Sequence, residues 1–553
     1  MDLGRRDFVA RGGQGAVYAR GGLAYKVFDD PSVCPSEGKV LELASITDPW
    51  VVRPQRLLVD GDGQRVGYTM RYVADAWPLC RLFTRTFRDQ HGISLPVRVG
   101  LARRLAQTLS HLHARQVTVV DLHELNALIP PGLDGVHLID ADSFQTASYP
   151  ATAVADHIRD RHAAAGAFGP GTDWFAFAVT TFQLLVGVHP YKGTHPQVKG
   201  LDARMSADIS VFDPVVKIPR AAESLRVLPA RLSGWYQAVF ELGEREPPPL
   251  EGALVSVAVP PRAFQPGEAL VVTEVARAPD PIRAFGYAHG VTVMVAGKQV
   301  LVDGRPAGQA PPGRVDVLYT PREGRPVVVG YDGATVRLWD PTARAQVPLG
   351  LDADDAVVHG DRLYLRVVDR LVEVRLHEGP DGVVVAQRVV GQVAERATQL
   401  FPGVAVQSLL GAAYVHLLDD GGAGPGRCPQ VRLAELDDYR VVDARYDRGV
   451  LMVVGARGDG RYDRLVFRID GARRDLRVVE DVDYSGLDFV VLDRGLCLHL
   501  AEDERLEAFP VRPDDAARRV VEDDALGGDL RLLRYAGQAA FVRGDVVCRV
   551  SLR

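Results

Sequence analysis

The sequence predicts a multidomain chain in which a mixed α+β half is followed by an all-β half built from repeated four-stranded units. Three observations lead to this expectation. At 553 residues the chain exceeds the size at which a single hydrophobic core keeps growing. Residues 1–250 mix short strands with long helical patterns, whereas 267–553 are almost entirely short strands separated by Gly/Asp turns. In that second half, strand-like starts recur near Ile282, Val315, Ala356, Thr398, Val441, Asp488 and Leu530, at intervals of about 41 residues, the spacing of propeller blades rather than of helical solenoids.

Composition narrows the class. The chain is 47% hydrophobic and 25% charged with a net charge of −6, which excludes wholesale disorder. Residues 1–264 carry 28 basic and 27 acidic side chains and 265–553 carry 37 and 44, so neither half is a basic platform for nucleic acid. The five cysteines are far apart and form no CxxC pair; they are expected as buried small hydrophobes in a reducing, cytoplasmic setting. The most apolar stretch, Phe175 to Val188, is interrupted by Thr180, Thr181 and Gln183, and no membrane span is expected.

Helical patterns run over Ser36–Ile46, Pro96–Arg115, Asp173–Val188 and Leu232–Leu242, while Val17 to Val73 is otherwise strand-rich. Pro247-Pro248-Pro249, Pro260-Pro261 and Pro266 cannot continue a helix. They mark a linker, expected at 249–266, between two separable parts. The second part is expected to be a β-propeller. Seven blades is the count that the spacing favours, with six and eight as its neighbours. Residues 530–553 hold about three strands, and Ala269–Ala276 supplies one more before the first unit; pairing the two would close a ring and remove its exposed edges. The run Asp332 to Asp340, ending Trp339-Asp340, resembles the end of a WD-repeat blade. Acidic clusters such as Asp352-Ala353-Asp354-Asp355 read as solvated turns.

The chemistry-bearing residues lie in the first half. Ala10-Arg11-Gly12-Gly13-Gln14-Gly15-Ala16-Val17 precedes Lys26 by one short turn. Bare glycine amides can approach phosphate oxygens closely, and a lysine on the next strand adds a cation for the same phosphates. A carboxylate must hold that lysine; Glu37, on the first helix with Val40 and Leu41 at i+3 and i+4, is the candidate. Further on, Asp121-Leu122-His123-Glu124-Leu125-Asn126 is followed after a turn by Val136-His137-Leu138-Ile139-Asp140.

Order and spacing together make residues 5–248 resemble a protein kinase, and the resemblance implies a bilobal α+β fold with lobes at 1–73 and 74–248 before a propeller at 267–553. It implies ATP bound with Mg²⁺, or with Mn²⁺ in its place. Gly12, Gly13, Gly15, Val17, Lys26 and Glu37 match the phosphate-side residues, and Met70, Arg71, Tyr72 and Val73 match the gatekeeper and the hinge that meets an adenine. Asp121 matches the catalytic aspartate, Asn126 and Asp140 the metal ligands, and Asp173 the aspartate that anchors the loop backbone.

Several positions depart from the family pattern. Val119-Val120 replaces His-Arg, removing the cation that would meet a phosphorylated activation segment. Asp140-Ala141-Asp142-Ser143-Phe144-Gln145 replaces Asp-Phe-Gly, as in a group of bacterial kinase-like proteins; Asp142 is a weak additional metal ligand, a turn or cap being the other reading. No glutamate occurs from Ala141 to Thr172, so Arg245 is expected to lack its usual partner. His123 replaces a lysine and, as a neutral imidazole, would offer less charge to the transferring phosphate. The expected function is a serine/threonine-type protein kinase whose propeller recruits a protein partner or substrate. A nucleotide-binding pseudokinase scaffold and a small-molecule phosphotransferase are the alternatives.

Overall fold

The computed structural model describes residues 3–250, 267 and 269–552, apart from 152, 219–221, 334, 381, 420–427, 472, 483–485, 502–504, 514, 516, 524 and 528–529. The linker expected at 249–266 therefore lies outside the described residues beyond Leu250. The described chain is mostly β, with few helices.

The first half opens with a five-stranded antiparallel sheet made of β1 (Phe8–Gly12), β2 (Gly15–Arg20), β3 (Leu23–Phe28), β4 (Arg56–Val59) and β5 (Arg65–Arg71), in the order β1-β2-β3-β5-β4. Helix α1 (Glu37–Ala44) is started by Ser36, whose hydroxyl accepts the Lys39 N–H at 3.2 Å. The helical part contains α2 (Arg85–His91), α3 (Leu95–His113), α4 (Pro170–Val186), α5 (Leu201–Ser206) and α6 (Ala230–Glu241), with a small sheet of β6 (Trp77–Pro78), β7 (Ala127–Ile129) and β8 (His137–Leu138). Helix α4 is buried on every side from Asp173 to Val186, as its continuous apolar sequence requires. Thr180 and Thr181, which interrupt that sequence, are satisfied internally. Thr180 donates to the Leu122 carbonyl at 3.0 Å and Thr181 to the Phe177 carbonyl at 2.7 Å. No described helix is long and apolar enough to cross a membrane.

The four expected helices are present within two or three residues at each end; α2 and α5 are additions. Helix α2 escapes periodicity because Phe87 is its one large apolar residue and Arg88 is itself buried, donating to the Leu82 and Phe83 carbonyls and to Glu223.

The second half is a succession of seven four-stranded antiparallel sheets. Their first strands begin at Ile282, Arg314, Asp355, Thr398, Arg440, Asp488 and Arg531, each within one residue of its expected start. Six sheets are continuous in sequence. The seventh takes Arg531–Tyr535, Gln538–Arg543 and Val546–Leu552 from the end of the chain and Leu270–Arg277 from the start of this half, Val550 facing Val272. The first strands of all seven sheets line one shared cavity. Adjacent sheets are stitched by aspartates. Asp355, Asp443, Asp447 and Asp488 accept the N–H groups of Leu400, Leu487, Val491 and Leu532, 44 or 45 residues ahead, at 2.8–3.3 Å. Asp355 is thus a structural acceptor rather than a solvated turn residue, because the repeat places it beside an otherwise unpaired amide. Trp339-Asp340 closes the third strand of its sheet, not the unit, which continues through Ala345–Val347. All five cysteines are unpaired, and four are buried.

The two halves share a buried cluster. Phe175, Phe182, Leu184 and Phe240 belong to the same buried cluster as Val442, Met452, Val454, Phe489 and Phe509. Phe8 and Ala16 of the first sheet pack with Ala397 of the second half, and Arg396 donates to the Arg6 carbonyl at 3.0 Å. Lys192 meets the Val482 carbonyl at 3.1 Å. At Gly460 the approach is so close that a Cβ would lie 2.0 Å from His157 Nδ1, and φ is +83°. Proline punctuation reads a break in the chain's secondary structure but carries no information about surfaces that meet after it. Gly460→Val should therefore destabilise the chain by more than the roughly 1–2 kcal/mol that the left-handed backbone conformation alone costs a side-chain-bearing residue, with a lower denaturant midpoint. An unchanged midpoint would show that the halves do not meet here.

Candidate functional site

The β1–β2 hairpin turns through Gly13-Gln14, with Gly12 paired to Gly15. A Cβ on Gly15 would lie 2.1 Å from the Val27 carbonyl oxygen, so packing on β3 demands glycine there. Gly12 and Gly13 are different. Neither has positive φ, and a Cβ on either would meet nothing within 4 Å; the fold does not require them, and they leave exposed bare backbone at the tip. Val17 on β2 faces Lys26 on β3 across the ladder.

Lys26 is buried, its side chain 9% exposed, and lies 3.0 Å from Asp142 and 3.3 Å from Asp140. Tyr68 donates its hydroxyl to the same Asp142 carboxylate at 2.5 Å. Burial alone would lower the Lys26 pKa; the two aspartates outweigh it and raise it. Glu37 does not take this role. It is exposed on the first turn of α1, and the buried Asp142, delivered by the 3-10 turn Ala141–Ser143 beneath β3, occupies the place beside the lysine. Asp142, the weak metal-ligand candidate, is thereby placed beside Lys26.

The loop that carries Asp121 hangs from α4. Asp173, fully buried, accepts the N–H groups of Val119 and Val120, each at 2.8 Å, and His113 Nε2 lies 2.9 Å away. Val120 is held at φ +67°, a cost of order 1–3 kcal/mol for a β-branched residue. Asp121 accepts the Ala155 N–H at 2.8 Å and the Asn126 amide at 3.2 Å. His123 Nε2 is 3.5 Å from Asp121. Burial would lower the His123 pKa, but Asp121 reverses this and raises it, so the imidazole is more cationic at neutral pH than expected. The Ile139 N–H bonds the Asn126 carbonyl at 3.0 Å, bringing Asp140 beside Asn126. Asp140, at φ +58°, keeps 40% of its side chain exposed. Its carboxylate and the Asn126 side-chain carbonyl are hard oxygen donors suited to Mg²⁺.

The hinge residues sit at the end of β5. Met70 pairs with Ala24, and the Tyr72 N–H bonds the Gly22 carbonyl at 3.2 Å. Arg71 turns away, donating to the Pro49 carbonyl at 2.6 Å. Val17, Ala24, Met70, Tyr72, Val73 and Ile139 belong to one apolar cluster.

Two features were not legible in the sequence. Asp160 meets Arg245 through both carboxylate oxygens, at 2.7 and 2.9 Å, so Arg245 is paired and an aspartate substitutes for the missing glutamate. Glu124, fully buried inside the Asp121–Asn126 loop, accepts from His157 at 3.1 Å and from the Tyr462 hydroxyl of the second half. Arg440 donates to the neighbouring Leu125 carbonyl at 3.1 Å. His123, Glu124 and His157 are close enough to ligate a metal ion together, but the Glu124 carboxylate is already satisfied by His157 and Tyr462.

No family model matches the chain, and no curated protein matches it. Among solved structures it is similar to the kinase PK-1 of Cydia pomonella granulovirus, at 13% identity over 43% of this chain and 88% of that one, with a TM-score of 0.32.

Burial would raise the Glu124 pKa; the adjacent His157 outweighs it and holds the carboxyl well below the usual carboxylate range. A depressed folded pKa gives stability that is complete above the unfolded value of about 4.3 and is lost as pH falls through it toward the folded value. Glu124→Gln should therefore cost about 1–3 kcal/mol at pH 7, with the gap from wild type narrowing as urea midpoints are measured from pH 5 down to 3. A gap independent of pH would contradict an ionised Glu124.

Proposed function

We propose that the chain is a kinase-like phosphotransferase that binds ATP with Mg²⁺, or Mn²⁺ in its place, beneath the Gly12–Gly15 turn and transfers phosphate to a serine or threonine hydroxyl of a protein. The observation that carries this reading is the convergence of Lys26, Asp140, Asn126 and Asp121 from three separated segments: Lys26 lies 3.3 Å from Asp140, the Asn126 amide donates to Asp121 at 3.2 Å, and the N–H of Ile139, next to Asp140 in the chain, bonds the Asn126 carbonyl at 3.0 Å. Asn126 and Asp140 would hold the metal, which supplies positive charge to the phosphates when bound. The bare amides at Gly12 and Gly13 orient phosphate oxygens, Lys26 adds a buried cation, and the Val17–Met70–Val73 cluster encloses a flat base. Asp121 takes the proton of the acceptor hydroxyl, and His123 places a partial positive charge beside it. The Asp160–Arg245 pair supports a retained docking platform and hence a protein acceptor.

The second half is proposed as a seven-bladed propeller, a reading supported by seven consecutive sheets, a cavity lined by every first strand, and a seventh sheet that joins both ends of this half. Recruitment of a protein partner on its outer surface belongs to the same proposal.

One observation favours a second reading, a nucleotide-binding scaffold without turnover: Lys26 is held by two aspartates at once, and Asp121 is engaged by Ala155 and Asn126. Calorimetry and labelled-phosphate transfer separate the two. Lys26→Met should abolish Mg²⁺-dependent ATP binding, whereas Asp121→Asn should keep binding and reduce transfer by about 10²–10⁴-fold. ATP binding with equal transfer by wild type and Asp121→Asn would support the scaffold, and no binding to wild type would defeat both.

Val120 is apolar and buried, so no cation precedes Asp121 to read a phosphorylated activation segment. Phosphatase treatment should therefore leave the transfer rate nearly unchanged; a large loss of rate would place a phosphate-reading cation elsewhere.

A further inference from the structure

The cavity shared by the seven sheets has a volume of about 1230 Å³ and is not walled by the second half alone: Arg81, Phe87 and His91, from α2 and the turn before it, complete it. That volume exceeds the few hundred to 1,000 Å³ of ordinary small-molecule sites. Its described lining contains ten arginines against six aspartates, with no lysine or glutamate; two of the ten, Arg362 and Arg375, are paired with Glu373 and Asp419 behind the wall, which leaves eight against six. The excess of positive charge is notable because the half of the chain that builds most of it is acidic overall.

Four of the lining arginines come from the turn before α2 (Arg81) and from the first strands of the first, second and seventh sheets (Arg283, Arg314 and Arg531). Arg531 donates to the Arg283 carbonyl at 2.9 Å, and Arg283 spans the Gly297 and Gly313 carbonyls. Arg314 lies over the Tyr331 ring, and Arg81 over Phe87 and Phe401. Among the described residues none of the four has a carboxylate within 4.0 Å. Carbonyl oxygens and ring faces orient these guanidinium groups without cancelling their charge. The carboxylates nearby are poor counter-ions. Among the described residues Asp316 is bonded by its neighbour's N–H alone, from Val317, at 3.3 Å, Asp443 is bonded by the Leu487 N–H, and Asp488 is shared between Arg445 at 3.7 Å and the Leu532 N–H. Desolvation raises Asp443 to about 6 and pushes Asp316 and Asp488 up. The field has a second reporter: burial, with Arg314 and Arg81 close by, drives His91 down to about 3.

We propose that this cavity is a binding site for a small polyanion carrying several phosphate groups, held by Arg81, Arg283, Arg314 and Arg531 and bridging α2 to the sheets of the second half. Arginine forks suit phosphate oxygens bidentately, and the enclosing walls favour a compact ligand over an extended chain. Because the walls come from both halves, the bound anion would also tie them together. The site is separate from Lys26 and does not depend on the kinase reading.

The test is calorimetric titration of the full chain with inorganic tripolyphosphate in a Lys26→Met background, so that the Lys26 site is not read. One site is expected, with a higher melting temperature at saturation. Arg81→Gln with Arg314→Gln, which disturbs no ion pair, should weaken binding about tenfold or more. Asp316→Asn should tighten it by removing a repelling carboxylate, a gain that no folding defect could produce. A parallel titration with a nucleoside triphosphate distinguishes sources: tighter binding than tripolyphosphate identifies a nucleotide ligand, and equal or weaker binding a base-free polyphosphate. No binding of either probe, or binding untouched by both the arginine and the Asp316 substitutions, would overturn the proposal.

Discussion

A single buried carboxylate sets much of this structure. Glu124 sits inside the loop between Asp121 and Asn126, with no exposure to solvent, and is hydrogen-bonded by His157 on one side and the Tyr462 hydroxyl on the other. An ionised carboxylate cannot be buried without such partners, since the desolvation penalty amounts to several kcal/mol per ion. Its burial therefore requires the second half to be in place. Arg440 adds a bond to the next carbonyl, and Gly460 lets the same sheet approach His157 without a side chain between them. The loop that presents Asp121 is thus held from below by Asp173 of α4 and from the side by a sheet more than 300 residues away in sequence.

The second half also touches the opposite wall of the cleft. Ala397 packs against Phe8 and Ala16 of the first sheet, and Arg396 donates to the carbonyl of Arg6 in the turn just before it. Lys26 belongs to that sheet, Asp140 and Asp142 to the segment beneath it, and the pairing between them joins the two walls. The geometry of the candidate site follows from three tethers: Lys26 with its aspartates, Asp173 with the loop backbone, and Glu124 with Tyr462. The first two lie inside the first half. The third makes the other half a structural part of the site.

Sequence reasoning reached what local pattern encodes. The 41-residue recurrence located the seven first strands because each unit repeats the same turn chemistry, and apolar periodicity located α1, α3, α4 and α6. The glycine turn, Lys26, Asp121, Asn126 and Asp140 stood out because their order and spacing are themselves the signal. What stayed hidden was pairing across distance. Glu37 lay at the right spacing to hold Lys26, yet Asp142 does so, because a short 3-10 turn swings it under β3. Asp160 supplies what the absent glutamate would have given Arg245, one carboxylate being as good as another when both oxygens can reach the guanidinium. Glu124 was visible inside the loop, but nothing in its neighbours announces Tyr462. Nor does a polar helix such as α2 show beforehand that it will complete a cavity.

Amide hydrogen exchange of the loop Val119 to Ala127, in wild type and in Tyr462→Phe, addresses the role of the second half most directly. Removing one hydroxyl leaves the apolar packing of the ring intact and withdraws one donor from Glu124. The structure requires faster exchange across Val119–Ala127 in the variant, with protection in remote strands such as Arg362–Val367 unchanged. Equal protection of the loop in both proteins would contradict the claim that the second half holds it.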